Sequence, residues 1–379
     1  MIYFLLICTI VTASYIILIS RYAFVWNRSG LKEIESIEAQ EMVTVVIVAR
    51  NEQENIKNAI QSVCMQKYAR DKMELIVVND NSTDNTHNEI IDCIRLHSDY
   101  NIKTINLDIT KNEFSKKVGI NKAISMSDSE IIIITDADCN HPVNWLKSTI
   151  NEYNDENVVF VSGPVKFKEK KGFVSKLIFL EFASLIGSGA ASILIGKPMM
   201  CNGANMSFRK SAFIKVEGYN GNEDIATGDD VFLMLKMKKL CNNGVRFLKA
   251  KDAIVETNPP SSIKEFFYQR VRWASKVKHY KEKYVFFNGL IILSINVLIA
   301  GLFINSLINL NSLYLLLIVL TIKLIVDSIF MFNVLKFFNR SSIIYYLIIE
   351  ELFYPIYIFI VAVLSFKRTF YWKGRIIKS

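Results

Sequence analysis

The stretch Ile131-Ile132-Ile133-Ile134-Thr135-Asp136-Ala137-Asp138 decides the reading of this chain. A continuous run of β-branched residues reads as a strand buried on both faces of a parallel sheet. Such strands end at the edge where open α/β sheets bind ligands. Two carboxylates one residue apart at that edge offer a hard divalent cation a seat. Mg²⁺ takes one or two carboxylates and completes its shell with water and phosphate oxygens. The segment alone also suits a strand running into a helix cap, so its neighbours have to decide.

Outward from this junction, strand-like and helix-like segments alternate. Residues 43–49 (VTVVIVA), 74–78 (ELIVV), 103–107 (KTINL), 130–135 (EIIIIT) and 158–163 (VVFVSG) read as strands. Helical patterns cover 52–65, 84–96, 115–126 and 143–153. This alternation predicts a parallel sheet with helices on both faces. Arg50-Asn51-Glu52 follows the first strand where a dinucleotide fold would carry Gly-x-Gly-x-x-Gly, which argues against a nicotinamide enzyme.

Further acids follow. Asn79-Asp80-Asn81-Ser82-Thr83-Asp84 comes after the second strand, where a polar turn with Ser82 or Asp84 capping a helix is the plain explanation. Gly228-Asp229-Asp230 opens a helix over 231–240, where acids are favoured by the helix dipole. Gln269-Arg270-Val271-Arg272-Trp273 lies in an aromatic and basic helix over 263–280, which suits a position at lipid headgroup level.

The hydrophobic fraction of 51% is high for a soluble protein, and the excess sits at the two ends. Residues 2–20 carry no charge and are long enough to span a bilayer. They lack the basic start of a cleaved leader, so they read as an uncleaved anchor. Arg21, Arg28 and Lys32 then place the following domain in the cytoplasm by the positive-inside rule. Residues 285–308 and 313–332 read as a membrane hairpin turning near Asn309 and Asn311. Lys323 and Asp327 fall inside the second span at i, i+4 and can pair there. Glu350, Glu351 and Pro355 interrupt a third segment, 343–366. Counting spans up and down puts the basic tail (Lys367, Arg368, Lys373, Arg375, Lys378) outside, against the positive-inside rule, so the last segment reads as re-entrant or interfacial. The expected organisation is an anchor at 1–20, a catalytic domain at 42–256, an interfacial helix at 261–283, a membrane region at 285–366 and a tail at 367–379.

Six scattered cysteines form neither a zinc pattern nor a disulfide framework, in keeping with a reducing compartment. The formal charge of +9 gathers beside apolar segments, and no nucleic-acid module is present, so the basicity reads as membrane-facing.

Taken in order, Asp80, Asp136-Ala137-Asp138, Asp229-Asp230 and Gln269-Arg270-Val271-Arg272-Trp273 resemble the signature of membrane-anchored family 2 glycosyltransferases. Ceramide-glucosyltransferase-like enzymes and cellulose or poly-N-acetylglucosamine synthases belong to that group. The resemblance covers about residues 43–280. It implies an α/β, Rossmann-like GT-A domain for nucleotide-diphospho sugars, with N-terminal and C-terminal transmembrane helices. Cys201-Asn202-Gly203-Ala204-Asn205-Met206 is similar to the family's acceptor-side Gly-Ala-Asn segment, and 115–121 to its Gly-Lys-x-x-Ala-Leu-Asn stretch. Asn79 and Ser115 stand where the family has Asp and Gly, and Asp229 where Glu is commoner.

The resemblance implies roles residue by residue. Asp138 with Asp136 would hold Mg²⁺ or Mn²⁺ on the donor diphosphate. Glu52 and Asp80 would face base and ribose. Lys116, Asn205 and Gln269 would contact substrate, and Arg272 and Trp273 would secure the diphosphate and the acceptor. Asp230, beside Asp229, is the expected general base of an inverting single displacement. The donor would be a UDP-sugar or another nucleotide sugar, and the acceptor a lipid or glycan at the membrane.

The short anchor set, and an amphipathic or interfacial helix expected at 173–195, favour a lipid over a processively extended polymer. The Tyr371-Trp372-Lys373-Gly374-Arg375 ending resembles lipid-glycosylating relatives. A haloacid-dehalogenase-type phosphatase also runs a strand into Asp-x-Asp. It expects Thr or Val where Asn140 stands, and its nucleophile lies near the domain start.

Overall fold

The computed structural model describes residues 2–33, 41–108, 116–221, 228–276, 279–366, 369–372 and 375–378. Ser115, Lys367, Arg368, Lys373, Gly374 and the side chains of the remaining tail lie outside the described residues.

The chain opens with α1 (Ile2–Arg28) and enters the sheet through β1 (Val43–Ala49), α2 (Ile56–Cys64), β2 (Met73–Asn79), α3 (Thr86–Leu96), β3 (Asn101–Asn106), α4 (Lys116–Met126) and β4 (Ile131–Asp136). There follow α5 (Trp145–Asn151), β5 (Phe160–Ser162), β6 (Val165–Phe167) and the long α6 (Phe173–Leu194). Next come β7 (Met206–Arg209), α7 (Lys210–Lys215), α8 (Asp229–Leu240), β8 (Val245–Phe247), β9 (Val255–Thr257) and α9 (Ile263–Ala274). The chain ends with α10 (Lys283–Ser306), α11 (Leu310–Phe337), a 3₁₀ stretch Ser341–Tyr346 leading into α12 (Leu347–Leu364), and a hairpin of β10 (Thr369–Trp372) and β11 (Arg375–Lys378).

Seven strands form one sheet in the order β3-β2-β1-β4-β7-β5-β8. The apolar residues of β1 other than Val48, and those of β4, are all but inaccessible to water, as their β-branched runs require. The first four strands run parallel. The expected all-parallel sheet stops there: β7 pairs antiparallel with both β4 and β5, so the sheet is mixed. The order reverses between β1 and β4, and Val48 of β1 stands level with Asp136 of β4. A crevice at such a reversal is where open α/β sheets take their ligands. The Ile131–Asp138 junction ends in it.

Among the described residues, five helical segments are long and apolar enough to cross a membrane: Ile2–Arg28, Phe173–Leu194, Lys283–Ser306, Leu310–Phe337 and Ser341–Leu364. α10 and α11 form the expected hairpin, with the side chain of Asn309 accepting from the Asn311 N–H at the turn (3.0 Å). Lys323 and Asp327 pair at 2.7 Å, as their spacing allows. Lys323 also reaches Glu351 of α12, and the Tyr15 hydroxyl of α1 donates to Asp327 at 2.8 Å.

α6, expected to be amphipathic or interfacial, is mostly apolar, and half of its residues are buried. It leaves the catalytic domain after β6 and returns at β7, and it packs between that domain and the end helices. Phe182 stacks on Phe167 of β6 with centroids 4.0 Å apart. On the opposite side Gly187 meets α11 so closely that a Cβ there would lie 2.7 Å from Val334 Cγ2. The expected helix over 263–280 is shorter, ending as α9 at Ala274. Gly187→Val is expected to push α6 off α11 and to cost about 1–3 kcal/mol. A lowered thermal midpoint in detergent checks this; an unchanged midpoint contradicts the close approach.

Candidate active site

The strand ends line up by register: Ala49 of β1 opposite Asn79 of β2, and Val48 opposite Asp136. The loops that follow β1 and β2 lock together. Asn51 and Asn81 both take left-handed backbone (φ 50° and 49°), which Asn tolerates better than most residues. Asn51 Oδ1 accepts from the Thr83 N–H (2.8 Å), and Arg50 Nη1 donates to the carbonyls of Asp80 and Asn81 (2.8 Å each). Asp80 is buried. The Glu52 N–H donates to Thr86 Oγ1 (2.7 Å) and its carboxylate accepts from Asn55 Nδ2 (2.7 Å). Asp84 accepts from the N–H and hydroxyl of Thr86, the capping role expected of it. Asn79 uses what an Asp would lack: its Nδ2 donates to Asn106 Oδ1 (3.0 Å).

Asp136 pairs with Lys116 of α4. Asp138 Oδ2 accepts from Thr257 Oγ1 at the end of β9 (2.8 Å). Asp229 and Asp230 open α8 after Gly228, whose φ of 94° favours a residue without Cβ. Asp230 Oδ2 accepts from the Gly203 N–H (3.2 Å), and Lys276 Nζ stands 3.6 Å from its Oδ1. A Cβ on Gly203 would lie 3.6 Å from both Asp230 Cβ and Lys116 Nζ, so one loop backs on carboxylate and cation together.

Burial lowers the pKa of Lys116, yet Asp136, Asp229 and Asp230 outweigh it and hold the ammonium above its usual value. For Arg272 burial prevails and the pKa falls, against the pull of the same three acids. Burial also pushes the nearby Cys201 thiol up, with Asp230 adding to the shift. Three acids and the cations Lys116, Arg272 and Lys276 thus share one cleft.

Lys276 was not anticipated. Its signal was its spacing, one helical turn (i, i+4) beyond Arg272. Three expected contact residues are engaged inside the protein. Asn205 is only 2% exposed. Its Oδ1 accepts from Trp145 Nε1 (3.0 Å), and its Nδ2 donates to the carbonyls of Pro164 (2.9 Å) and Ala253 (3.0 Å). It shapes the Gly203 loop from behind, so its expected place as a substrate contact is corrected. Gln269 Oε1 accepts from Arg270. The Trp273 ring lies under the Arg270 guanidinium, 4.5 Å from its centroid, and beside Phe182.

Among the described residues no group of three or more His, Cys, Asp or Glu is placed to hold a metal ion. Asp136 and Asp138 offer two hard oxygen donors, the number Mg²⁺ uses when phosphates and water supply the rest. The residues fit a divalent ion that arrives with a diphosphate.

The mixed sheet has the fold of the GT-A glycosyltransferases. The profile of glycosyl transferase family 2 matches residues 44–217, and that of glycosyl transferase family group 2 matches residues 131–366. The chain belongs to the family 2 glycosyltransferases. A poly-beta-1,6-N-acetyl-D-glucosamine synthase of Staphylococcus aureus (strain COL) is 29% identical over 244 residues, 63% of this chain and 55% of that protein. The chain thus spans about half the length of that relative. A probable glycosyltransferase, YdaM, of Bacillus subtilis (strain 168) is 28% identical over 265 residues, 67% of this chain and 59% of that protein. The fold is shared with the mannosyltransferase PcManGT from Pyrobaculum calidifontis, solved in complex with GDP-Man and Mn²⁺. The TM-score is 0.56 at 17% identity, covering 95% of this chain and 99% of that one.

Behind Asp136, His141 is buried with Nε2 2.8 Å from Thr135 Oγ1 and Nδ1 2.7 Å from Ser62 Oγ. Burial depresses its pKa from 6.5 to about 3. Between those values the unfolded chain binds a proton that the folded chain refuses, so stability falls as pH drops below 6.5. The expected slope is about 1.4 kcal/mol per pH unit. Thermal unfolding between about pH 7 and 5 measures it, and His141→Gln should flatten this part of the profile. An equal slope in the variant contradicts a neutral buried imidazole.

Proposed function

We propose that the enzyme moves a sugar, with inversion, from a nucleotide-diphospho sugar to a lipid or glycan acceptor at the cytoplasmic face of a membrane. The observation that carries this is Asp230, held in the cleft by the Gly203 N–H and Lys276 within reach of the charge field of Lys116 and Arg272.

In this reading the Asp230 carboxylate takes the proton of an acceptor hydroxyl. The freed oxygen forms a bond to the anomeric carbon as the bond from that carbon to the phosphate oxygen breaks, and a nucleoside diphosphate leaves. Lys116 and Arg272 offset charge gathering on the leaving group. Asp136 and Asp138 would hold Mg²⁺ or Mn²⁺, which supplies Lewis-acid stabilisation of that group when bound. Asp229 supports Asp230 at the helix start. Glu52 and Asp80, on the interlocked loops after β1 and β2, would receive the nucleoside of a UDP-sugar.

The last apolar segment supports the re-entrant or interfacial reading. Its start meets the domain where Arg340 pairs with Glu169 (2.6 Å). Near its end Val361 packs against Val271 of α9, and β10 also lies against α9. A second reading, processive polysaccharide synthesis, is favoured by the likeness to the poly-beta-1,6-N-acetyl-D-glucosamine synthase.

Membranes given a panel of labelled UDP- and GDP-sugars and then partitioned into solvent separate the two: label in the organic phase means glycolipid, label in insoluble material means polymer. Asp230→Asn is expected to lower turnover by roughly 10²–10⁴-fold with donor affinity nearly unchanged; equal loss of binding would make Asp230 a donor ligand. Asp138→Ala should abolish the EDTA-sensitive part of donor binding. Cysteines placed at Glu169 and Ser365 should react with an impermeant reagent from the same side, and labelling from opposite sides would make the last segment a full span.

A further inference from the structure

A cavity of about 250 Å³ lies between the β6–α6 connection and the start of the Ser341–Tyr346 stretch. Lys168, Lys170, Lys171, Lys176 and Arg340 line it, with Glu169 as the one carboxylate. That carboxylate is engaged by Arg340, and Lys176 donates to the Tyr346 hydroxyl (3.0 Å). The ammonium groups of Lys168, Lys170 and Lys171 have no ion-pair partner among the described residues. Like charges gathered without counter-charge repel one another, and an anion relieves that cost.

The start of the 22-residue α6 also faces the cavity, through Gly172, Ser175 and Lys176. Its amides add to the positive field.

The apolar part of the wall is formed by Phe167, Phe179, Pro259 and Ile343. Phe173 and Val174, on the first turn of α6, are 48% and 43% exposed. The cavity also sits where three membrane-length segments have their ends: the start of Phe173–Leu194, the end of Leu310–Phe337 and the start of Ser341–Leu364. A cationic cavity with a greasy rim at that level matches an amphiphile with a phosphate head.

We infer that this cavity holds the phosphate headgroup of an anionic membrane lipid. The site is separate from the residues placed in sugar transfer, so its test stands apart from the catalytic reading. Neutral zwitterionic lipid would not satisfy the lysines. Free phosphate shares the chemistry of the head but leaves the apolar rim exposed.

The full chain, reconstituted in phosphatidylcholine nanodiscs holding a minor share of spin-labelled phosphatidylglycerol, gives the readout as the immobilised fraction of label. Lys168→Ala with Lys170→Ala and Lys171→Ala is expected to weaken retention roughly tenfold or more, since each lysine near an anionic surface contributes comparably. Lys170→Arg with Lys171→Arg should retain the lipid. Lys57→Ala, an exposed lysine on α2, should change nothing. The lysines at 170 and 171 are exposed, so their loss spares the fold. Equal retention by wild type and the triple variant overturns the inference. Release of the label by millimolar inorganic phosphate also overturns it, giving the cavity to a soluble anion.

Discussion

The ion pair between Arg270 and Glu181 is the contact on which the arrangement of the site depends. It is almost fully buried, with the guanidinium Nε 2.8 Å from Glu181 Oε1 and the Tyr357 hydroxyl 2.8 Å from the same oxygen. Three elements meet there: α9, α6 and α12. Removing one partner of such a pair costs about 3–5 kcal/mol, because a charge is left in a dry place. The pair fixes how α9 rotates on α6. That rotation points Arg272 into the cleft, with Lys276 following in the turn after the helix, while Arg270 faces the apolar helices. Residues two apart on a helix face different directions, and here one serves the fold while the other serves the site.

The cleft needs those cations for its own reasons. Asp136, Asp229 and Asp230 come from two separate elements, and their mutual repulsion would disfavour so close an approach without Lys116, Arg272 and Lys276. The sheet supplies the acids by register, since β4 ends level with β1 at the reversal of strand order. Helix α9 and the turn just after it supply Arg272 and Lys276, and α4 supplies Lys116. A glycosyltransferase built this way cannot complete its site until α9 is docked, which links the chemistry to the packing of the apolar helices.

Much of this was legible before the structure. Unbroken β-branched runs located β1, β2 and β4, and the acids after them fell at the sheet edge because strand direction leaves no other place. The insertion of β7 was not legible. Met206–Arg209 is four residues long, and nothing in so short a run says that it pairs antiparallel with β4 at Ile131–Ile134. Asn205 was misplaced for a related reason: a polar residue beside a glycine loop reads as a ligand contact, whereas its amide satisfies an indole N–H and two buried carbonyls. Sequence spacing reports which residues share a face and says little about what covers that face. Arg270 likewise passed as a spacer between Gln269 and Arg272, because its partner Glu181 is far away along the chain.

The apolar helices repeat the device that α9 uses. Between apolar helices the hydrophobic effect is non-directional, so packing and buried polar contacts must set alignment. Lys323 pairs with Asp327 and Glu351, and Tyr15 adds a hydrogen bond to Asp327, so one buried cluster joins α1, α11 and α12. A lysine buried among apolar side chains is costly alone and tolerable only with its acids in place. That condition selects a single register for three helices that would otherwise slide, and α12 in that register delivers Tyr357 to Glu181 and Val361 to α9. Two buried ionic clusters, one among the apolar helices and one at the domain boundary, therefore align the end of the sheet with the helices beneath it.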